Sequence, residues 1–213
     1  MNNIITTFDM NIFDIKASKW DSESVHWERS EAIANKIREL IPITQSMTAM
    51  EYGAGTAILS FLLSNQFSRI TLMDSSEEMV KMMEEKISKS NTKNLFPLLF
   101  DLEKEEYAYG TFDCIFTQMV LHHILNVELA FSRFHKLLHS GGYLAIADLY
   151  AEDGSFHGKG FAGHNGFDPD LLKTSLEKAG FTEITYEPCF VMNKSVGEEL
   201  RAFPVFLLIA KKK

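Results

Sequence analysis

The stretch Thr48-Ala49-Met50-Glu51-Tyr52-Gly53-Ala54-Gly55-Thr56-Ala57-Ile58 constrains the fold of this chain more than any other. An apolar run ends in an acid and two glycines, and a second apolar run begins at once, an order that spells strand, tight turn and helix. Glycine has no Cβ, so at Gly53 and Gly55 the backbone can turn sharply and admit a ligand, while the next helix offers free N–H groups at the same point. A Gly-x-Gly turn can also join any strand to any helix. Its meaning therefore depends on what the later segments bring beside it.

Those segments repeat the same design. Residues 69–73 are a β-branched and apolar strand ending at Asp74, and Ser75-Ser76-Glu77-Glu78 contains a Ser-x-x-Glu capping box that starts a helix carrying Met79, Val80, Met82, Met83 and Ile87. Asp74 stands 21 positions after Gly53, close to the roughly 20-residue interval at which an acid in a dinucleotide-type fold meets ribose hydroxyls. Residues 95–100 form a third strand, placed at a sheet edge by Pro97 and closed by Asp101. Residues 112–118 form a fourth, followed by Met119-Val120-Leu121-His122-His123-Ile124 and a helix from about Asn126 that stops at Gly141-Gly142. The nearly continuous apolar run 143–149, containing Asp148, suits the centre of a parallel sheet covered on both faces.

A helix over 169–179 and two strands over 182–191 and 203–210, expected to be antiparallel, complete the pattern. Upstream, Ala32, Ile33, Ile37, Leu40 and Ile41 recur at helical spacing over 27–40 until Pro42. The order of elements implies an α/β fold, a doubly wound sheet whose ligands bind outside the carboxyl ends of the strands. Glu51, Asp74, Asp101 and Asp148 all fall at such ends. Residues 27–213 read as one domain, with 150–167 as an insertion and 1–26 as an N-terminal extension or lid bearing Phe8, Phe13 and Trp20.

Composition narrows the functional classes. A net charge of -8 argues against a nucleic-acid backbone as the main partner, because such binding draws on a basic surface. No apolar run approaches the roughly 18 residues of a membrane span, and the first residues lack a secretory pattern, so a cytoplasmic location is expected. Cys114 and Cys189 lie far apart in apolar surroundings and read as free thiols. The oligomeric state is open, a homodimer being compatible with these totals.

Taken together, Met50-Glu51-Tyr52-Gly53-Ala54-Gly55-Thr56, Leu72-Met73-Asp74-Ser75-Ser76-Glu77-Glu78-Met79, Asp101-Leu102, Phe112-Asp113 through Leu121-His122-His123-Ile124, and Leu137-Leu138-His139-Ser140-Gly141-Gly142-Tyr143-Leu144 resemble the successive motifs of class I S-adenosylmethionine-dependent methyltransferases. The resemblance implies a Rossmann-like methyltransferase fold, three layers around a mostly parallel seven-stranded sheet with an antiparallel last strand. It also implies roles. Gly53 and Gly55 would let the backbone approach the methionine part of S-adenosylmethionine, Asp74 would accept from both ribose hydroxyls, and Met79 would pack near the adenine. Asp101 would accept from the adenine amino group, Leu102 would offer a backbone donor, and Gln118 and Leu121 would line the sulfonium end. Glu51, just before the turn, suits a cationic ligand. An ionised carboxylate is acceptor-only, which independently suits Asp74 to a diol.

Methyl transfer from a sulfonium centre to a small molecule, leaving S-adenosylhomocysteine, depends mostly on alignment and exclusion of water. If the acceptor arrives protonated, His122 is the first candidate base. The insertion Glu152-Asp153-Gly154-Ser155-Phe156-His157-Gly158-Lys159-Gly160-Phe161-Ala162-Gly163-His164-Asn165-Gly166-Phe167-Asp168 resembles a segment that encloses the acceptor in a subset of small-molecule methyltransferases. Its glycines suggest mobility, its phenylalanines apolar walls, and His164 and His157 could reach a polar group. His123 is expected to turn away. No metal is expected, since His122, His123, His157 and His164 come without cysteine or zinc-type spacing. Two alternatives stand: a nicotinamide-type oxidoreductase, against which Ile58 holds the position of the third small residue, and a non-catalytic cofactor-binding module.

Overall fold

The computed structural model describes residues 23–213, so Phe8, Phe13 and Trp20 lie outside it. The first element, α1 (Ser24–Leu40), begins before the expected Trp27. It leads into β1 (Thr48–Tyr52), α2 (Ile58–Leu63), β2 (Arg69–Asp74), α3 (Glu77–Ser88), β3 (Leu95–Leu99), β4 (Phe112–Gln118), α4 (Val127–Leu137), β5 (Leu138–Leu149), α5 (Pro169–Lys178), β6 (Phe181–Val196) and β7 (Glu199–Lys212). The sheet order is β3-β2-β1-β4-β5-β7-β6, with β7 antiparallel to both neighbours and the other strands parallel where they pair. This is the Rossmann-like, doubly wound arrangement expected from the sequence. Pro97 lies on the edge strand β3 opposite Leu72.

Alternation along the strands explains the three layers. In β4, Cys114 and Phe116 join the apolar cluster formed with Ile33, Ile37, Leu59 and Leu63, while Ile115 joins the one formed with Phe131, Phe134, Leu172 and Leu176. Strand β7 divides its side chains in the same way, Val205 and Leu207 to the first cluster and Phe206 and Leu208 to the second. A strand buried on both faces needs apolar residues at every position. At roughly 1.5–3 kcal/mol for each fully buried aliphatic or phenyl side chain, packing of helices on both faces outweighs the weak helix-forming tendency of a six-residue segment such as α2.

Three local readings change. The N-cap of α3 is Ser76, whose hydroxyl accepts from Met79 N–H, and not Ser75 of the expected box. Gly141 and Gly142 do not end α4; β5 starts directly after that helix, and its pairing with β4 jumps from Phe112↔Leu138 to Cys114↔Tyr143, so the glycines sit in an irregularity within the strand. The last two strands are longer than expected and meet at a two-residue turn, Gly197-Glu198. The ends of β6 and β7 near that turn run past the point where β5 stops at Leu149↔Val205, making a two-stranded ribbon.

Candidate active site

The sheet order reverses between β1 and β4, and the two glycines after β1 stand at that switch point, where ligands of doubly wound sheets bind. Gly53 has φ +66°, and a Cβ there would lie 2.5 Å from Cγ2 of Val120, on the segment after β4. This glycine is therefore required by the packing of the two strand ends against each other. Gly55 is different: none of the described residues lies within 4 Å of the position its Cβ would take. Met119, with φ 54°, and Ala57, with φ 60°, flank the same point. Left-handed backbone at non-glycine residues costs roughly 1–3 kcal/mol each and gathers at functional sites.

Gly53→Ala is expected to destabilise the fold by roughly 1–3 kcal/mol through strain and the Val120 clash. Thermal melting should show a drop of several degrees, partly restored by adding Val120→Ala. A variant that melts with the parent would show that the strand ends do not depend on this glycine.

Glu51, at the end of β1, is fully buried. Its Oε2 accepts from the hydroxyl of Ser60 and from Ser60 N–H at 3.2 Å, both on α2, while its Oε1 has no hydrogen-bond partner among the described residues. Burial pushes its carboxyl up to about 8, opposed by the Ser60 bonds, with nearby Asp74 adding to the rise and Lys86 opposing it. A buried acceptor without a partner costs roughly 1–3 kcal/mol, so a cationic or N–H donor from a ligand would relieve it.

Asp74, at the end of β2, accepts from Gly55 N–H on Oδ2 at 2.8 Å and from Ser76 N–H on Oδ1 at 2.9 Å. Burial raises its carboxyl, and bonds from Ser76, Gly55 and Ser75 oppose the rise. It thus ties the glycine turn to β2, and with three backbone N–H groups accepted one of its roughly four lone-pair sites remains for a ligand hydroxyl. Beyond it, a depression is lined by Ser75, Leu99, Phe100, Asp101, Lys104 and Glu105. Asp101 accepts from Glu103 N–H at 2.9 Å and pairs with Lys104 at 2.8 Å. Leu99 is 46% exposed, leaving an apolar surface on this rim. Met79 is buried at the start of α3, and Leu102 is buried in the core.

Other expected residues are committed elsewhere. Gln118 accepts from the Ser30 hydroxyl of α1 at 3.1 Å. The Leu121 side chain is fully buried among Ile124 and Phe131, so only its backbone is near the strand end. His164 bonds Ile124 O through Nε2 at 3.0 Å and His122 O through its backbone N–H at 2.7 Å, which makes it an anchor of the insertion. His122 is buried, its Nδ1–H donating to Asp148 Oδ1 at 2.6 Å and its backbone N–H to Oδ2 at 3.2 Å. Asp148 is thus an inward partner of His122. His123, expected to turn away, packs its ring 4.2 Å from that of His122.

The insertion is pinned, and its glycines answer to sterics. A Cβ at Gly163 would lie 2.2 Å from His122 O, so this chain segment can approach the β4 end only as glycine. Lys194 of β6 donates to Phe156 O, and Arg201 of β7 pairs with Asp153 at 2.9 Å and donates to Ser155 Oγ at 2.6 Å. The Phe156 ring rests on Phe203 of the ribbon at 5.1 Å between centroids.

One residue was missed by motif reading. Arg29 of α1 is buried, its NH1 contacting the Met192 sulfur at 3.7 Å and its Nε without a partner among the described residues. Burial lowers its guanidinium to about 10, with the charges of Asp148 and Cys189 pulling the other way. The signal lay in the helix period. Arg29 and Ser30 sit four and three residues before Ile33 on the face that Ile37 continues, so both were due to point inward.

Residues 50–146 match the family model described as a methyltransferase domain. Together with the sheet order, this match is consistent with the class I S-adenosylmethionine-dependent methyltransferases that the sequence resembles. An uncharacterized methyltransferase of Schizosaccharomyces pombe, C1347.09, is 26% identical over 152 residues, covering 64% of this chain and 54% of its own length. The chain thus spans about half of that relative. The YcgJ protein of Bacillus subtilis superposes with a TM-score of 0.72 at 13% identity, over 86% of this chain and 98% of its own. A phosphoethanolamine N-methyltransferase of Haemonchus contortus, solved with phosphomonomethylethanolamine and S-adenosylhomocysteine, gives a TM-score of 0.70 at 14% identity, over 87% of this chain and 52% of its own. No described helix is long and apolar enough to cross a membrane.

Proposed function

We propose that this chain methylates a small molecule held beneath residues 150–167, using S-adenosylmethionine bound along the ends of β1, β2 and β4. The observation that carries the reading is the pinned insertion. Its strap from Phe156 to Gly163 is fixed both to the β4 end and to the β6–β7 ribbon, and a strap tied down at both sides favours a small acceptor over a protein or nucleic-acid chain. The net charge of -8 points the same way.

S-adenosylmethionine, when bound, supplies a methyl group on a sulfonium centre. The residues present fit it. Glu51 Oε1 lacks a partner among the described residues, none of which lies within 4 Å of where a Gly55 Cβ would stand, and Asp74 keeps acceptor capacity beside the Asp101 depression. Arg29 would hold a carboxylate, being a buried guanidinium whose Nε has no partner among the described residues. The chain's own contribution is then to orient two reactants and exclude water, since the leaving group departs neutral. His122, held by Asp148, is the base where the acceptor carries a proton and no metal ion occupies its Nε2.

Calorimetric titration with S-adenosylhomocysteine and, separately, NAD tests the cofactor. Saturable binding of the thioether and none of NAD is expected, and the reverse would return the chain to the oxidoreductase class. Turnover against panels of small molecules, peptides and RNA then tests the acceptor. Methylation confined to peptide or RNA would overturn the small-molecule reading, and binding without any turnover would favour the non-catalytic module.

A further inference from the structure

Three imidazoles meet at the carboxyl ends of β4 and β5. His122 and His123 come from the short 3-10 turn after β4, and His157 comes from the strap of the insertion. One ring nitrogen of each lies within 4.8 Å of those of the other two. The ring centroids are 4.2 Å apart for His122 and His123, 5.0 Å for His122 and His157, and 5.1 Å for His123 and His157. His122 is buried, His123 half-buried and His157 exposed, so the group opens toward solvent on one side.

A second observation concerns what lies behind the group. His122 Nδ1 stands 2.6 Å from Asp148 Oδ1, with both residues fully enclosed. A carboxylate only accepts, so the bond places the imidazole proton on Nδ1 and leaves the lone pair on Nε2. Metal-ligating histidines characteristically donate their other N–H to a carboxylate, which fixes the tautomer and raises ligand basicity. The Phe161 ring stands 6.1 Å from His122 and 5.2 Å from His123, and Phe156 stands 6.4 Å from His122. They give the group the apolar surroundings that sharpen a metal site's electrostatics.

We propose that His122, His123 and His157 form a binding site for a divalent transition-metal ion of the imidazole-preferring class, zinc first among them, with Asp148 as the positioning residue behind His122. Three neutral nitrogen ligands with no thiolate suit zinc, nickel or copper better than magnesium or calcium, which take oxygen ligands. Three protein ligands leave a fourth position open to an oxygen, nitrogen or sulfur atom of a small molecule. Occupancy of that position by the methyl acceptor rests on the methyltransferase reading; the metal site itself does not. The spacing of the three histidines in the chain hides the site, because His157 arrives only through the fold of the insertion.

The test uses tag-free full-length protein, stripped with a chelator and titrated with Co2+ alone and Zn2+ alone, without cofactor or acceptor. One equivalent is expected, with Co2+ giving the visible absorption of a low-coordinate site that Zn2+ displaces. His157→Ala and His123→Ala, on side chains outside the buried core, should each weaken binding at least about tenfold, and their combination should abolish the saturable equivalent. Asp148→Asn should weaken it roughly 10–100-fold and alter the Co2+ spectrum while leaving the stoichiometry intact. A parent protein without a saturable equivalent overturns the proposal. So does an equivalent retained in the double variant, which would place the ion on other histidines. Because no cofactor is present, failure here leaves the methyltransferase reading standing, and failure of S-adenosylhomocysteine to bind leaves this site standing.

Discussion

Asp74→Ala should weaken S-adenosylhomocysteine binding by roughly 2 to 5 kcal/mol, the range for removing one partner of a buried, charged hydrogen-bond set. At 1.4 kcal/mol per tenfold, that is a loss of about 30- to several-thousand-fold. The size follows from two roles on one carboxylate. Asp74 accepts from Gly55 and Ser76 N–H, so it fixes the glycine turn, and under the proposed function its remaining acceptor capacity would be offered to the ribose. Asp74→Asn separates the roles. Its carbonyl can keep one backbone bond, but its NH₂ group turns a donor toward hydroxyls that must themselves donate, so a large part of the loss should persist. Calorimetry gives the affinity and melting shows whether the turn survives. Unchanged affinity in a folded Asp74→Ala protein would remove the residue from the site.

Glu51→Gln should change how stability depends on pH. The Glu51 carboxyl is raised to about 8 in the folded protein from an ordinary 4.5. The folded state therefore holds a proton that the unfolded state has released between those values, and the stability this group contributes is full below about 4.5 and lost as pH rises through about 8. A shift of that size corresponds to roughly 3 to 5 kcal/mol across the window. Melting temperatures of the parent, taken from pH 5 to 9 without ligand, should fall more steeply than those of Glu51→Gln. S-adenosylmethionine should restore part of the parent's stability at pH 8, because a cationic group near Oε1 favours the ionised carboxyl. Parallel pH profiles for the two proteins would contradict the buried, protonated state.

Much of this fold was legible because its signals are local. The apolar runs 69–73 and 112–118 became β2 and β4, the Pro97 strand lies on an edge, and the order of elements agrees from β1 to β7. Glu51 and Asp74 were readable at strand ends for the same reason. What escaped needed register or three-dimensional reach. The His122–Asp148 pair spans 26 residues and exists because Gln118 pairs with Ala147, a register no spacing rule supplies. The direction of His123 depended on where the strap would run. Glycines in 150–167 look like mobility in sequence, whereas Gly163 is dictated by contact with a carbonyl. Ser60 became visible as a partner of Glu51 only when α2 docked over β1.

The placement of β7 between β5 and β6 also orders assembly in time. Among the described residues, β5 has β7 alone on its outer side, and β6 pairs with β7 alone. A nascent chain that has emerged only as far as Val196 holds the strands carrying Glu51, Asp74 and Gln118, yet it presents β5 with an open apolar edge and β6 with nothing to pair. Arg201 comes later still, on β7 itself, so the clamp on Asp153 closes only when the final strand slides into its slot. The part of the sheet that carries Glu51 and Asp74 can thus be laid down during synthesis before β7 pins residues 150–167.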